Sequence, residues 1–91
     1  MTIEVRVPTV LRKHTGGEKK VTGSGHTLGE LVDHLEAHHP GLRDALIGAD
    51  GQIHRFVNVY VNDEDARFLG GVETPLSSGD EVSILPAVAG G

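Results

Sequence analysis

Thr27-Leu28-Gly29-Glu30-Leu31-Val32-Asp33-His34-Leu35 is the stretch that decides the fold. Leu28, Leu31, Val32 and Leu35 fall at i, i+3, i+4 and i+7, so they make one apolar stripe on a helix of about three turns. Thr27 has the chemistry of an N-cap, and Glu30 stands three residues on, which is the capping-box spacing. Pro40-Gly41 stops the helix. Leu42, Ala45 and Leu46 predict a short further piece of helix, ended near Gly48. A single stripe needs a single apolar surface to cover, and the flanking segments supply one.

Upstream, Ile3, Val5 and Val7 alternate with Glu4 and Arg6, the signature of a half-buried strand over residues 3–8 with Pro8 at its end. Val10 and Leu11 are expected to fold back onto the core. His14-Thr15-Gly16-Gly17 reads as a turn, and Glu18 to Thr22 as the second strand of a hairpin. Gly23-Ser24-Gly25 is a break before the helix. Downstream, residues 55–61 alternate again, with Val57, Val59 and Val61 inward against Phe56, Asn58 and Tyr60. Asn62-Asp63-Glu64-Asp65 is an acidic turn, and residues 66–69 predict a short strand cut by Gly70-Gly71. Ser77-Ser78-Gly79-Asp80 is a strong turn signal. The last strand follows, with Val82 and Ile84 facing the core and Leu85 on the opposite face. Strand, strand, helix, strand, short strand, strand is an α+β domain of two layers: one mixed sheet with one main helix on one face.

Ninety-one residues make one domain, read as a body over 1–86 and a flexible Gly-Gly tail over 87–91. The net charge of −5 argues against a nucleic-acid surface. There is no cysteine, which excludes a disulfide framework and a Cys-based zinc site. The absence of a long apolar run or a signal-like start predicts a soluble, cytoplasmic protein with no membrane partner.

The tail Ala87-Val88-Ala89-Gly90-Gly91 has no charge, nucleophile or metal ligand. Extended, it reaches about 16 Å, and its two glycines let the backbone enter a narrow slot and leave the carboxylate unshielded. A frayed end is the plain alternative. Phe68, Leu85, Phe56 and Tyr60 put apolar groups on faces where polar ones are expected. Singly such residues are ordinary; several beside the tail would form a docking patch. His34 and His38 at i, i+4, followed by His39, have zinc-like spacing but no third ligand, so a solvated helix face is the favoured account and no metal site is assigned. Asp63-Glu64-Asp65 lacks the spacing of a calcium loop. The glycine pairs match no phosphate-binding fingerprint, and no catalytic residue is signposted.

Gly79-Asp80-Glu81-Val82-Ser83-Ile84-Leu85-Pro86, running into the Gly-Gly tail, resembles the MoaD/ThiS family of ubiquitin-like sulfur carriers. Residues 56–65 and 7–12 look closest to the family's cysteine-biosynthesis carriers. The resemblance implies a β-grasp fold with the first and last strands parallel neighbours in mid-sheet. It also implies a carrier rather than an enzyme, with no cofactor of its own. An E1-like activating enzyme of the MoeB/ThiF type would use ATP and magnesium to adenylate Gly91. A sulfur donor would then leave a thiocarboxylate there. Gly90, Ala89, Val88 and Ala87 would thread into the partner, and Leu85, Phe68, Phe56 and Tyr60 would dock the body. The implied acceptor is a cysteine-synthase-like or natural-product thiolation enzyme, with a metalloprotease as a further partner. Rival readings are a ubiquitin-like protein modifier, a small subunit of a molybdopterin-synthase-like complex, and a histidine metal-binding module.

Overall fold

The computed structural model describes residues 2–86. Five strands form one sheet: β1 (Ile3–Arg6), β2 (Lys20–Gly23), β3 (Val57–Val61), β4 (Glu64–Asp65) and β5 (Glu81–Pro86). Their spatial order is β2-β1-β5-β3-β4. β1 and β5 are parallel, and every other neighbouring pair is antiparallel. The first and last strands are therefore parallel neighbours in mid-sheet, as the resemblance implies.

The helix α1 (Leu28–His38) lies on one face, followed by the short α2 (Leu42–Leu46). Thr27 caps α1 by accepting the Glu30 N–H at 3.2 Å. Glu30 reaches back to the N–H of His26, one residue before the cap, at 3.1 Å. The stripe Leu28, Leu31, Val32 and Leu35 is buried against Ile3, Val5, Val59, Val82 and Ile84 in one continuous core. Each fully buried leucine contributes roughly 1.5–3 kcal/mol through lost apolar surface. Gly25 lets the chain pass α1: a Cβ there would stand 2.5 Å from the Leu31 backbone nitrogen. At the other end of the helix, Glu36 accepts the N–H groups of Gly41 (3.0 Å) and Arg43 (2.8 Å) and so caps α2. The Gly41 N–H, then that of Arg43, holds the Glu36 carboxyl below the usual range.

Several local expectations need correction. The second strand is Lys20–Gly23 and not Glu18 to Thr22, and Glu64–Asp65 of the expected turn form β4. β1 ends at Arg6 rather than at Pro8. The Val7 N–H still reaches the Lys19 carbonyl at 2.8 Å, but Pro8 has no donor to continue, and a 3-10 helix over Thr9–His14 follows. Leu11 is buried on it as expected, whereas Val10 is 59% exposed. Neighbouring positions on a 3-10 helix point about 120° apart, so one of the two must face out. Residues 66–69 are not a strand. β4 is only two residues long, and Ala66–Phe68 is a 3-10 helix begun by the Asp65 carboxylate, which accepts the Arg67 N–H at 2.9 Å. Finally, Arg55 and Phe56 precede β3 instead of opening it: His54 accepts the N–H of Phe56 on Nδ1 and that of Val57 on its carbonyl, closing a turn.

Candidate functional site: the end of the last strand and the outer sheet face

β5 sits between β1 and β3: β1 pairs with Glu81 to Ser83, and β3 with Val82 to Pro86, so the last residues of the strand are paired on the β3 side. Its start is fixed by a polar knot. Asp80 accepts the Ser77 N–H at 2.8 Å and the Asn62 side-chain amide at 3.0 Å, while Asn62 Oδ1 accepts the Glu81 N–H at 3.0 Å. The Ser77 N–H, then the Asn62 amide, holds the Asp80 carboxyl below its ordinary range. Asn62 and Asp63 both have positive φ, the two-residue turn that lets β3 reverse tightly into β4.

Of the four expected docking residues, Tyr60 and Leu85 line one groove at the far end of β5. Leu85 pairs with Asn58 across β3, faces away from the helix and is 48% exposed. Tyr60, half-buried, pairs with Ser83 one step further in on the same face, and both Tyr60 and Leu85 line one groove. Val57 pairs with Pro86, which sets the turn bearing Phe56 beside the strand's end. Phe56 is exposed, with its ring 5.2 Å from that of His54 and 4.9 Å from the Arg55 guanidinium carbon. Phe68 is 87% exposed, the most open large apolar side chain among the described residues. Its position follows from Arg67, whose guanidinium donates to the carbonyls of Val57 (2.6 Å) and His54 (3.0 Å) and to Asn58 Oδ1 (2.9 Å). Arg67 thus ties the 3-10 helix to the same end of the sheet as Leu85. Residues 87–91, including Gly91 and the inserted positions Ala87, Val88, Ala89 and Gly90, lie outside the described residues.

Sequence reading missed Arg67 and a second feature. Arg6, Arg12, Lys19 and Lys20 line the groove that holds Tyr60 and Leu85. Along the chain they look scattered, but antiparallel pairing puts Arg6 opposite Lys20. Treating the hairpin as a register, and not only as two strands, would have exposed this. Two of the cations are paired on the surface: Arg6 with Glu81 at 3.0 Å, and Lys20 with Glu4 at 2.6 Å. The hydrogen bond from Lys20 is the main cause holding the Glu4 carboxyl below its usual range.

Three of the six histidines, His34, His38 and His39, line one shallow pocket at the end of α1. His34 accepts the Ser24 N–H at 3.3 Å, and its ring packs edge-on to that of His38 at 4.9 Å. Among the described residues no group of three or more His, Asp or Glu side chains is placed to hold a metal ion. No helix of the described residues is long and apolar enough to cross a membrane.

Comparison with known proteins agrees with this geometry. The ThiS family model matches residues 5–91. The sulfur carrier protein CysO of Mycobacterium tuberculosis (strain ATCC 25618 / H37Rv) is 54% identical over 93 residues, covering 100% of both chains. The crystal structure of Mycobacterium tuberculosis CysO superposes with a TM-score of 0.91 at 52% identity, over 94% of this chain and 99% of that one. A chain of the Amycolatopsis orientalis BexX/CysO complex also gives a TM-score of 0.91 at 52% identity, over 98% and 99%. The fold is therefore the ubiquitin-like β-grasp, a mixed five-stranded sheet with a helix packed on it. With the family model spanning all but the first four residues and more than half of the sequence shared with CysO end to end, the chain belongs to the ThiS family.

Proposed function

We propose that this protein is a sulfur carrier, a co-substrate of other enzymes and not an enzyme itself. The observation that carries the reading is the end-to-end 54% identity with CysO, which runs through the Gly-Gly end. Gly91 is the working position. An oxygen of its carboxylate attacks the α-phosphorus of ATP on an E1-like partner and expels pyrophosphate, giving an acyl adenylate. Sulfide then attacks the acyl carbon, AMP leaves with the carboxylate oxygen it had bonded, a proton is lost, and the sulfur remains as a thiocarboxylate. The donated sulfur goes to cysteine or another sulfur-containing metabolite on a second enzyme.

The division of labour follows from charge. A carboxylate resists nucleophiles until its oxygen becomes a good leaving group, and positioned cations are needed to make it one. ATP and magnesium therefore belong to the partner. The carrier supplies reach and recognition: Ala87 to Gly90 give slim backbone for entry, while Leu85, Phe68, Phe56 and Tyr60 seat the body. Binding energy from that body is what positions the reacting end. A carrier meets at least two enzymes in turn, and the finding that CysO occurs in a complex with BexX in Amycolatopsis orientalis supports pairing with a partner protein.

The test is ATP–pyrophosphate exchange catalysed by the activating enzyme. The full chain supports exchange, and a chain lacking Gly91 does not, although both melt at the same temperature. Exchange that persists without Gly91 refutes the assignment.

A further inference from the structure

The chain is acidic, with a net charge of −5, yet four of its eight Lys and Arg residues line one groove on the outer face of the sheet. Arg6 and Lys20 already have carboxylate partners there. Among the described residues Arg12 and Lys19 have none. Arg12 donates from Nε to the Val7 carbonyl at 3.2 Å, a neutral acceptor that leaves its charge uncancelled. Lys19 makes no ion pair within 4.0 Å among the described residues. One further carboxylate, Asp63, lines the groove as well. Tyr60 and Leu85 line it too and supply apolar surface. Leu85 is followed by Pro86, where β5 ends, so an occupant of the groove lies beside the point from which the chain continues towards Gly91.

We infer that this groove docks an acidic segment, bearing an apolar side chain, of the enzyme that activates the chain's end. The occupant's carboxylates meet Arg12 and Lys19, and its apolar group meets Leu85 and Tyr60. The identity of the occupant rests on the carrier reading above. Charge complementarity selects its chemistry. A negatively charged partner is repelled by the net charge of the chain as a whole and attracted at this groove, so the cations orient the encounter as well as hold it. Nucleic acid would meet the same cations, but its long phosphate run would then face the acidic remainder of the surface.

The test compares wild type with Lys19→Glu and Lys13→Glu in binding to the E1-like activating enzyme without ATP, by fluorescence anisotropy. Lys13 is exposed, neighbours Arg12 and does not line the groove, so the two variants alter net charge equally. Lys19→Glu is expected to weaken binding about tenfold at low salt, with the deficit closing to under about threefold in roughly 0.5 M NaCl. Lys13→Glu is expected to stay within about twofold of wild type, as a charge outside the contact does. Equal effects of the two variants, no effect of Lys19→Glu, or no binding by wild type would overturn the inference. So would wild-type binding to oligothymidylate that Lys19→Glu abolishes while enzyme binding is unchanged. Because ATP is absent, a chain that binds through the groove yet is never adenylated refutes the carrier reading and leaves the docking surface standing. Adenylation with Lys19→Glu neutral does the reverse.

Discussion

At the scale of the residue, Leu85 separates stability from recognition. Its neighbours Val82 and Ile84 point into the core at 1% and 2% exposure, while Leu85 points outward across from Asn58. Leu85→Asp should therefore leave the thermal midpoint nearly unchanged, since exposed substitutions away from special features cost about 0.5 kcal/mol or less. It should raise the KM for loading by the activating enzyme about tenfold, the loss of one buried apolar contact at an interface. A drop in stability with unchanged KM would mean that Leu85 is a packing residue. The outward setting of Leu85 was legible from alternation alone, because a strand has a period of two. Val10 was not legible, because Val10 and Leu11 are equally apolar. Only the 3-10 geometry after Pro8 decides which of them turns in. Arg67 was equally hidden: nothing in its sequence neighbours signals that it donates to carbonyls nine to thirteen positions away.

At the scale of the element, α1 is where sequence and structure agree most closely, because stripe, cap and stop all point to the same answer. Thr27→Ala removes the acceptor of the Glu30 N–H and is expected to cost about 1 kcal/mol in denaturant melts, with the slope of the transition unchanged. Thr27→Ser should recover most of it. A neutral alanine variant would show that the backbone bridge between Thr27 and Pro75 holds the helix start without the cap. The segment after β4 was the least legible element. Ala66, Arg67, Phe68 and Leu69 suit a strand by composition, but the Asp65 carboxylate offers the backbone a local acceptor and starts a 3-10 turn instead. That turn leaves Phe68 87% exposed, tied through Arg67 to the start of β3.

At the scale of the whole molecule, the sheet order makes the first and last strands neighbours, so the strand that precedes residues 87–91 is internal, between β1 and β3. The carboxyls that support this frame set its response to acid. Glu4, Glu36 and Asp80 are all held below their ordinary values in the folded protein. Their contribution is therefore complete above the ordinary carboxylate range, near pH 4, and is lost as pH falls through the depressed folded values. The thermal midpoint should be flat above about pH 5 and decline below about pH 4, with Asp80→Asn lowering the plateau and flattening the decline. A midpoint that rises on acidification would contradict those assignments. The central claim, that a rigid β-grasp body presents Gly91 for conversion to a thiocarboxylate, is tested most directly by intact-protein mass spectrometry after incubation with the activating enzyme, ATP, magnesium and sulfide. The account predicts a gain equal to sulfur replacing one oxygen, located by fragmentation at Gly91. An unchanged mass in the presence of an enzyme shown to be active, or a gain located anywhere else in the chain, would contradict it.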